Sequence, residues 1–281
     1  MYMRFPGGKK KALTFSYDDG VEQDIRLMEI LNRNGLKATF NINGCRFEQD
    51  EYTYEEGRIH RPMGRKQALE VYGGELGKNH EIAIHSYSHP YLDHMPRAVA
   101  TAEIIKDREC LEGMFGRVIR GCAYPMGTYS DMTVEVLRAC EIAYARTIES
   151  TWSFRLPQNW LKMPATCHHD DARLFDLMET FLNKQPSPRE QVWLFYVWGH
   201  AYEFERENNW ERIETFCEKV GGKEDVWYAT NIEIYDYVQA YNALQFSADF
   251  RLVRNPSAIP VYFDVGGCCA VVQPGETLRF R

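Results

Sequence analysis

The sequence predicts an α/β fold in which parallel strands are covered by helices, followed by a small antiparallel β appendage. Three observations lead there. A rhythm of strand, loop and helix repeats about seven times between Ala12 and Tyr241, the pattern of βα units building a parallel sheet. Ionisable residues from separate segments (Asp18 and Asp19, His85 and His89, His168, His200) fall just past the C-terminal ends of predicted strands. That is the face on which α/β barrels gather their chemistry. Beyond residue 243 the rhythm stops, and short strand patterns alternate with turn residues. The expected division is therefore a barrel over 1–243 and an appendage over 244–281.

Ala12 to Tyr17 is apolar and β-favouring and runs into Asp18-Asp19-Gly20, a strand ending in two carboxylates and a turn. Ile25, Leu27, Met28, Ile30 and Leu31 then recur at helical spacing, with Asn34-Gly35 as the stop. Lys37 to Asn43 alternates as a strand. Arg46 to Arg61 is polar, acidic and aromatic without a period, so a long loop on the rim of a cleft is expected. A weak helix covers Lys66 to Lys78, interrupted at Gly73-Gly74. Glu81 to His85 is a short strand leading into Ser86-Tyr87-Ser88-His89-Pro90, and Pro96 opens a helix from Arg97 to Phe115. Val118 to Tyr124 is a strand ending at Pro125-Met126-Gly127-Thr128-Tyr129, and Asp131 to Cys140 is helical. Ile142 to Thr147 and Leu161 to Cys167 are strands, the second closing on His168-His169-Asp170-Asp171. Arg173 to Leu182 is a helix that stops before Pro186. Val192 to Trp198, a strongly apolar strand, ends at Gly199-His200-Ala201-Tyr202-Glu203. A helix over Glu211 to Val220, a short strand over Trp227 to Ala229 and a helix over Ile232 to Tyr241 complete the rhythm. In the tail, Ala248 to Pro256, Ile259 to Asp264 and Cys269 to Gln273 read as short strands.

Composition narrows the partners. A net charge of −7 and the lack of any Lys/Arg-rich run count against nucleic acid and membrane surfaces. Met1 to Phe15 has no continuous apolar stretch of the signal-peptide kind, and no apolar run approaches the ~20 residues of a membrane span. The eight cysteines form no CxxC and mostly sit singly in apolar stretches, as small reduced core residues do. A cytoplasmic location is expected.

His85 and His89 form the only histidine pair at spacing four among eight histidines. Two histidines and a carboxylate, with positions left open, make a catalytic site for a divalent metal. Nitrogen and hard oxygen donors suit Zn²⁺ first, with Co²⁺, Ni²⁺ and Mn²⁺ compatible. The plainer readings are hydrogen-bonded loop histidines and, for Asp18-Asp19-Gly20, ordinary turn chemistry; both sets on one rim favour the metal. One carboxylate can ligate the metal while the other takes a proton from the water it activates. A separate acid must protonate the leaving group, and His200 is placed for that. Its plainer reading is a capping histidine bonded to Glu203 or Tyr202.

The order Thr14-Phe15-Ser16-Tyr17-Asp18-Asp19-Gly20, then His85-Ser86-Tyr87-Ser88-His89, then Ala123-Tyr124-Pro125-Met126-Gly127, then an apolar strand ending in histidine, resembles a known family. It is that of the NodB-type polysaccharide deacetylases, carbohydrate esterase family 4, and the resemblance covers Lys11 to Ala240. It implies a distorted (β/α)7 barrel, NodB-like, with a groove at the strand C-termini. It implies Asp18 as general base, with Asp19, His85 and His89 holding one divalent metal ion. It further implies the Met126 amide at the oxyanion and His200 as general acid. Two departures stand out. Where the family has an arginine two residues before the proline, this chain has Ala123, leaving Arg120 or Arg146 to balance Asp18. The family's fourth-motif acid is not found, and Asp170 or Asp171, after His168 and His169, is the expected substitute.

The expected function is a metal-dependent hydrolase removing N- or O-acetyl groups from an acetylated oligo- or polysaccharide. Tyr129, Trp152, Trp198 and Tyr202 are expected along its groove as sugar-stacking aromatics. Two alternatives stay open. The same metal site could cleave a non-sugar amide, favoured if the Arg46 to Arg61 loop closes a pocket. Ala123 instead favours a catalytically impaired carbohydrate-binding protein.

Overall fold

The strands that carry the site are nearly continuous apolar runs, as strands buried on both faces must be. In the computed structural model, which describes residues 2–188 and 190–280, a short β1 (Tyr2–Arg4) precedes β2 (Lys11–Asp18), every residue of which is buried. The βα rhythm continues through α1 (Asp24–Arg33), β3 (Ala38–Ile42), α2 (Arg65–Gly73), β4 (Glu81–Ile84), α3 (Arg97–Phe115), β5 (Gly121–Ala123), α4 (Asp131–Ala139) and β6 (Tyr144–Ser150). β7 (Met163–Ala165) and β8 (Cys167–His168) follow, then α5 (Leu174–Asn183), β9 (Trp193–Gly199), α6 (Ala201–Arg206), α7 (Trp210–Val220), β10 (Val226–Tyr228) and α8 (Asn231–Asn242).

These strands pair in parallel in the order β7-β6-β5-β4-β3-β2-β9-β8. Thr166 alone separates β7 from β8, and its N–H donates to the Tyr196 carbonyl at 2.8 Å. The stretch 163–168 therefore bonds to β6 on one side and to β9 on the other, closing the sheet into a ring. This is the expected parallel barrel, and the predicted strand from Leu161 to Cys167 is the one that seals it. β10 pairs with the N-terminal half of β2, Val226 opposite Lys11, because β3 meets β2 only from Phe15 onward.

The core lies between the barrel and its helices. Phe195 of β9 is fully buried against Phe154, Phe181 and Phe216, at ring centroid distances of 5.2, 5.3 and 5.6 Å. Truncating such a residue to alanine costs about 3–5 kcal/mol. Helix starts are set by side chains: Ser130 and Thr230 each form a capping box at the head of α4 and α8, contributions of about 1 kcal/mol. The sequence pattern did not indicate α6, which begins directly after His200.

The tail is antiparallel, as expected. β11 (Gln245–Phe246), β12 (Leu252–Arg254) and β15 (Thr277–Arg279) form one sheet, and β13 (Val261–Val265) and β14 (Cys268–Val272) form a second together with β1. Arg4 reaches Asp264 at 2.9 Å, and the Tyr237 hydroxyl donates to the Arg4 carbonyl at 2.6 Å. Val253, Val261, Phe263 and Val272 pack their buried side chains with Ala240 and Leu244 at the end of α8. Cys122, Cys140, Cys167 and Cys217 are buried thiols, but Cys268 and Cys269 are exposed on β14, against the core reading. Among the described residues no helix is long and apolar enough to cross a membrane.

Candidate metal centre and active site

Adjacent side chains of a regular strand face opposite ways, so Asp18 and Asp19 should diverge. A left-handed φ of 81° at Asp19 breaks the alternation. Both carboxylates then reach one point, with Asp18 Oδ2 and Asp19 Oδ1 each 3.8 Å from His85 Nε2. Gly20 completes the turn at φ 66°, where a Cβ would also press on Ile42 Cγ2 at 3.1 Å.

His85 leaves β4 with its backbone fixed from two sides. Its N–H donates to Asp107 Oδ2 at 3.0 Å, and Asn43 Nδ2 donates to the carbonyls of His85 and Ser86 at 2.7 and 2.8 Å. Its ring Nδ1 lies 2.9 Å from the Ala123 carbonyl. A carbonyl can only accept, so Nδ1 carries the proton and Nε2 presents its lone pair to the site. His89, at φ 60°, brings its Nε2 to 3.1 Å from His85 Nε2 and 3.6 Å from Asp19 Oδ1. Burial, then the neighbouring His85, lowers the His89 pKa to about 4, leaving the neutral ring a metal requires. Ligands around a tetrahedral ion at 2.0–2.1 Å sit about 3.3 Å apart. The three spacings bracket that value, so the donor set fits a divalent metal.

The other Asp19 oxygen, Oδ2, is held by His60 Nε2 at 3.1 Å. His60 arrives on the end of the long loop predicted from Arg46 to Arg61. That end is stitched down by Arg61, whose guanidinium meets both Glu205 oxygens at 2.7 and 2.9 Å, and by an antiparallel bridge between Val21 and Pro62. Burial works against the Asp19 carboxylate, but His60, then His85, His200 and His89, hold its pKa well below the usual range. Nothing in the sequence marks out His60 beyond its place in that loop.

Asp18 Oδ1 accepts from Asn41 Nδ2 at 2.8 Å, and Oδ2 is ion-paired with the fully buried Arg146. Burial would raise the Asp18 pKa; Arg146, then His85 and His200, keep it below normal. Thus β6 supplies the cation that Ala123 does not. Arg120 is engaged elsewhere, 2.5 Å from Asp236.

His200 caps α6 and sets Nε2 3.8 Å from Asp18 Oδ2. Its Nδ1 lies 3.3 Å from Glu203 Oε2, which also meets His168 Nε2 at 3.1 Å and His169 Nε2 at 3.3 Å. Burial lowers the His200 pKa, but Glu203, Asp18 and Asp19 outweigh it and the net shift is upward. The acid beside His200 is therefore Glu203, and the expectation of Asp170 or Asp171 is corrected. The Asp170 side chain is 59% exposed beside Arg212, and Asp171 accepts from Trp152 Nε1 at 2.7 Å. A Glu three residues after a histidine that opens a helix, the capping-box spacing, was the available signal. Gly199 must be glycine, since a Cβ there would stand 2.0 Å from His169 Nδ1.

Met126 occupies the third position of a type II turn, φ 55° and ψ 1°, closed by Gly127 N–H to the Tyr124 carbonyl at 3.1 Å. A non-glycine residue there is strained, a cost that active sites tolerate. Tyr129 stacks on Tyr124 at 5.0 Å and donates to Glu149 at 3.0 Å. Trp198, expected along the groove, is only 9% exposed and carries the Arg146 guanidinium 4.4 Å from its ring. It is a wall behind the ion pair rather than a stacking face.

The parallel barrel thus carries a carboxylate, two histidines and a buried Asp–Arg pair together at its C-terminal rim. Residues 6–145 match the family model described as polysaccharide deacetylase. The fold is similar to that of a protein assigned as a polysaccharide deacetylase from Mycobacterium smegmatis, with 18% identity and a TM-score of 0.57 over 86% of this chain and 94% of that one. It is also similar to a variant of peptidoglycan deacetylase PdaC from Bacillus subtilis, with 17% identity and a TM-score of 0.50 over 85% and 96%. At these identities the shared property is the fold. None of the curated proteins matches the sequence. Residues 6–145 place the chain in the polysaccharide deacetylase family, in agreement with its resemblance to the NodB-type deacetylases.

Proposed function

We propose that this chain is a metal-dependent hydrolase that removes acetyl groups from a carbohydrate. The observation that carries this reading is convergence: His85 Nε2 and His200 Nε2 each lie 3.8 Å from one oxygen of Asp18, with Asp19 and His89 beside them. Asp19, His85 and His89 are the residues that hold the metal, zinc by the chemistry of the set. When bound it supplies a Lewis acid and lowers the pKa of water to near 7. Asp18, kept ionised by Arg146 and aimed by Asn41, accepts the proton of the attacking water. His200, as imidazolium stabilised by Glu203, gives its Nε2 proton to the departing nitrogen or oxygen. The Met126 N–H, set by its strained turn, donates to the oxygen on which charge develops. Trp152, 48% exposed, is a candidate sugar platform: Asp171 fixes its edge and Arg173 backs its ring at 4.3 Å.

The test is acetate release from a panel of acetylated oligosaccharides by metal-stripped protein reloaded with Zn²⁺ or Co²⁺, beside Asp18→Asn. Metal-dependent release, lost in the variant, is expected. Metal binding with no acetate from any sugar redirects the assignment to non-sugar amides. Failure to bind metal overturns it.

A further inference from the structure

Glu203 Oε2 has more neighbours than one oxygen can serve. Besides the three ring nitrogens at 3.1–3.3 Å, it accepts the His200 backbone N–H at 3.1 Å. A carboxylate oxygen has about two lone-pair directions, so four donors cannot all be bonded. His200 Nδ1 is the one left over: it is buried and makes no hydrogen bond.

The same spacings have a second meaning. Separations of 3.1 and 3.3 Å from a carboxylate oxygen to two imidazole nitrogens match the roughly 3.3 Å between ligands of a tetrahedral zinc. Among the described residues two groups bring three such donors within 4.8 Å of one another, the metal centre above and His168, His200 and Glu203. Two histidines and a glutamate form an established zinc donor set. The side chains of His168 and His200 are 25% and 22% exposed, so the cluster is reached from solvent.

We propose that His168, His200 and Glu203 bind a second zinc ion, more weakly than the first site, and that this ion inhibits the enzyme by capturing His200 Nδ1. Binding releases the Nδ1 proton to solvent and forms the bond from Nδ1 to zinc. The ring can then no longer become the doubly protonated imidazolium from which the leaving group takes its proton. Site and inhibition are separable: the binding claim stands on these three residues alone, and the inhibition rests on the hydrolase reading.

The experiment titrates metal-free protein with Zn²⁺ by calorimetry and with Co²⁺ by visible absorption, which needs no substrate. Wild type is expected to take up two ions, the second with a Kd at least tenfold higher. His168→Gln is expected to keep the tight event and lose the weak one; Asp19→Asn is expected to do the reverse. The retained event in each reports a folded chain, and Glu203→Gln repeats the first test should His168→Gln not fold. In parallel, acetate release by wild type falls over the Zn²⁺ range that fills the second site, while His168→Gln holds its own rate there. Uptake of a single ion by wild type, or a second ion that survives both His168→Gln and Glu203→Gln, overturns the site. Two ions with no change in rate overturn the inhibition alone.

Discussion

On the proposed metal side, Asp19, His85 and His89 come from two short segments, anchored by the Asp107 carboxylate, the Asn43 amide, the Ala123 carbonyl and His60. On the acid side, Arg146, His168, His169, His200 and Glu203 come from β6, the end of β8 and the start of α6. The two sides also differ in how completely they are bonded. Asp107, Asn43 and the Ala123 carbonyl hold His85 through three separate groups. Behind the acid side four buried atoms lack partners, Arg146 Nε, His169 Nδ1, Trp198 Nε1 and His200 Nδ1, against two around the metal side, Asn41 Oδ1 and Ser86 Oγ. Orphaned buried polar atoms cost about 1–3 kcal/mol each. The metal side is thus pre-organised by the fold, whereas the acid side keeps bonding capacity in reserve.

Substitutions can break or sharpen that contrast. The largest effect is expected for Asp19→Ala, which removes a proposed metal ligand: at one equivalent of zinc, metal analysis should find little bound and acetate release should disappear. Asp18→Asn should retain the metal and lower kcat about 10²–10⁴-fold, separating base from ligand. His60→Ala leaves every ligand in place but frees Asp19 Oδ2; competition with a chelator should show zinc affinity weaker by about 10–100-fold. An unchanged affinity would mean that the loop end carries none of the metal side's rigidity.

Glu203→Gln should give the smallest change, seen as pH dependence. His200 has a raised folded pKa, so its stabilising contribution is complete below the unfolded value of about 6.5 and is lost as pH rises through the folded one. Glu203 has a strongly lowered pKa, so its contribution is complete above about 4.3 and is lost only as pH falls far below that. Melting temperatures of wild type and variant should therefore differ most between about pH 4.3 and 6.5 and converge in alkali. The alkaline limb of the kcat profile should move to lower pH in the variant.

The same contrast explains what the sequence revealed. Neighbouring aspartates and a four-residue histidine spacing are local patterns, so the metal side and the strand ends that bear it were legible, as was the barrel rhythm. Arg146 could be named only as one of two arginines, because 128 residues separate it from Asp18 and strand pairing decides which one arrives. His60 meets Asp19 across 41 residues through an aperiodic loop, which no pattern predicts. The role of Glu203 hides in a helix too short to show a period, and Asp170 and Asp171 stand out merely for their place in the chain. β1, three residues long, was below the length at which alternation can be read.

The pairing of β1 with β13 has a consequence for how the molecule is made. Arg4 finds Asp264 across 260 positions. At about 5–20 residues per second, the ribosome needs roughly 13–50 s to deliver the partner of a strand made 260 positions earlier. Throughout that interval Tyr2–Arg4 is an unmatched edge beside a barrel whose own strands are still arriving. That sheet can close only once β13 has been made, and it clasps the strand ahead of the barrel to the appendage behind it.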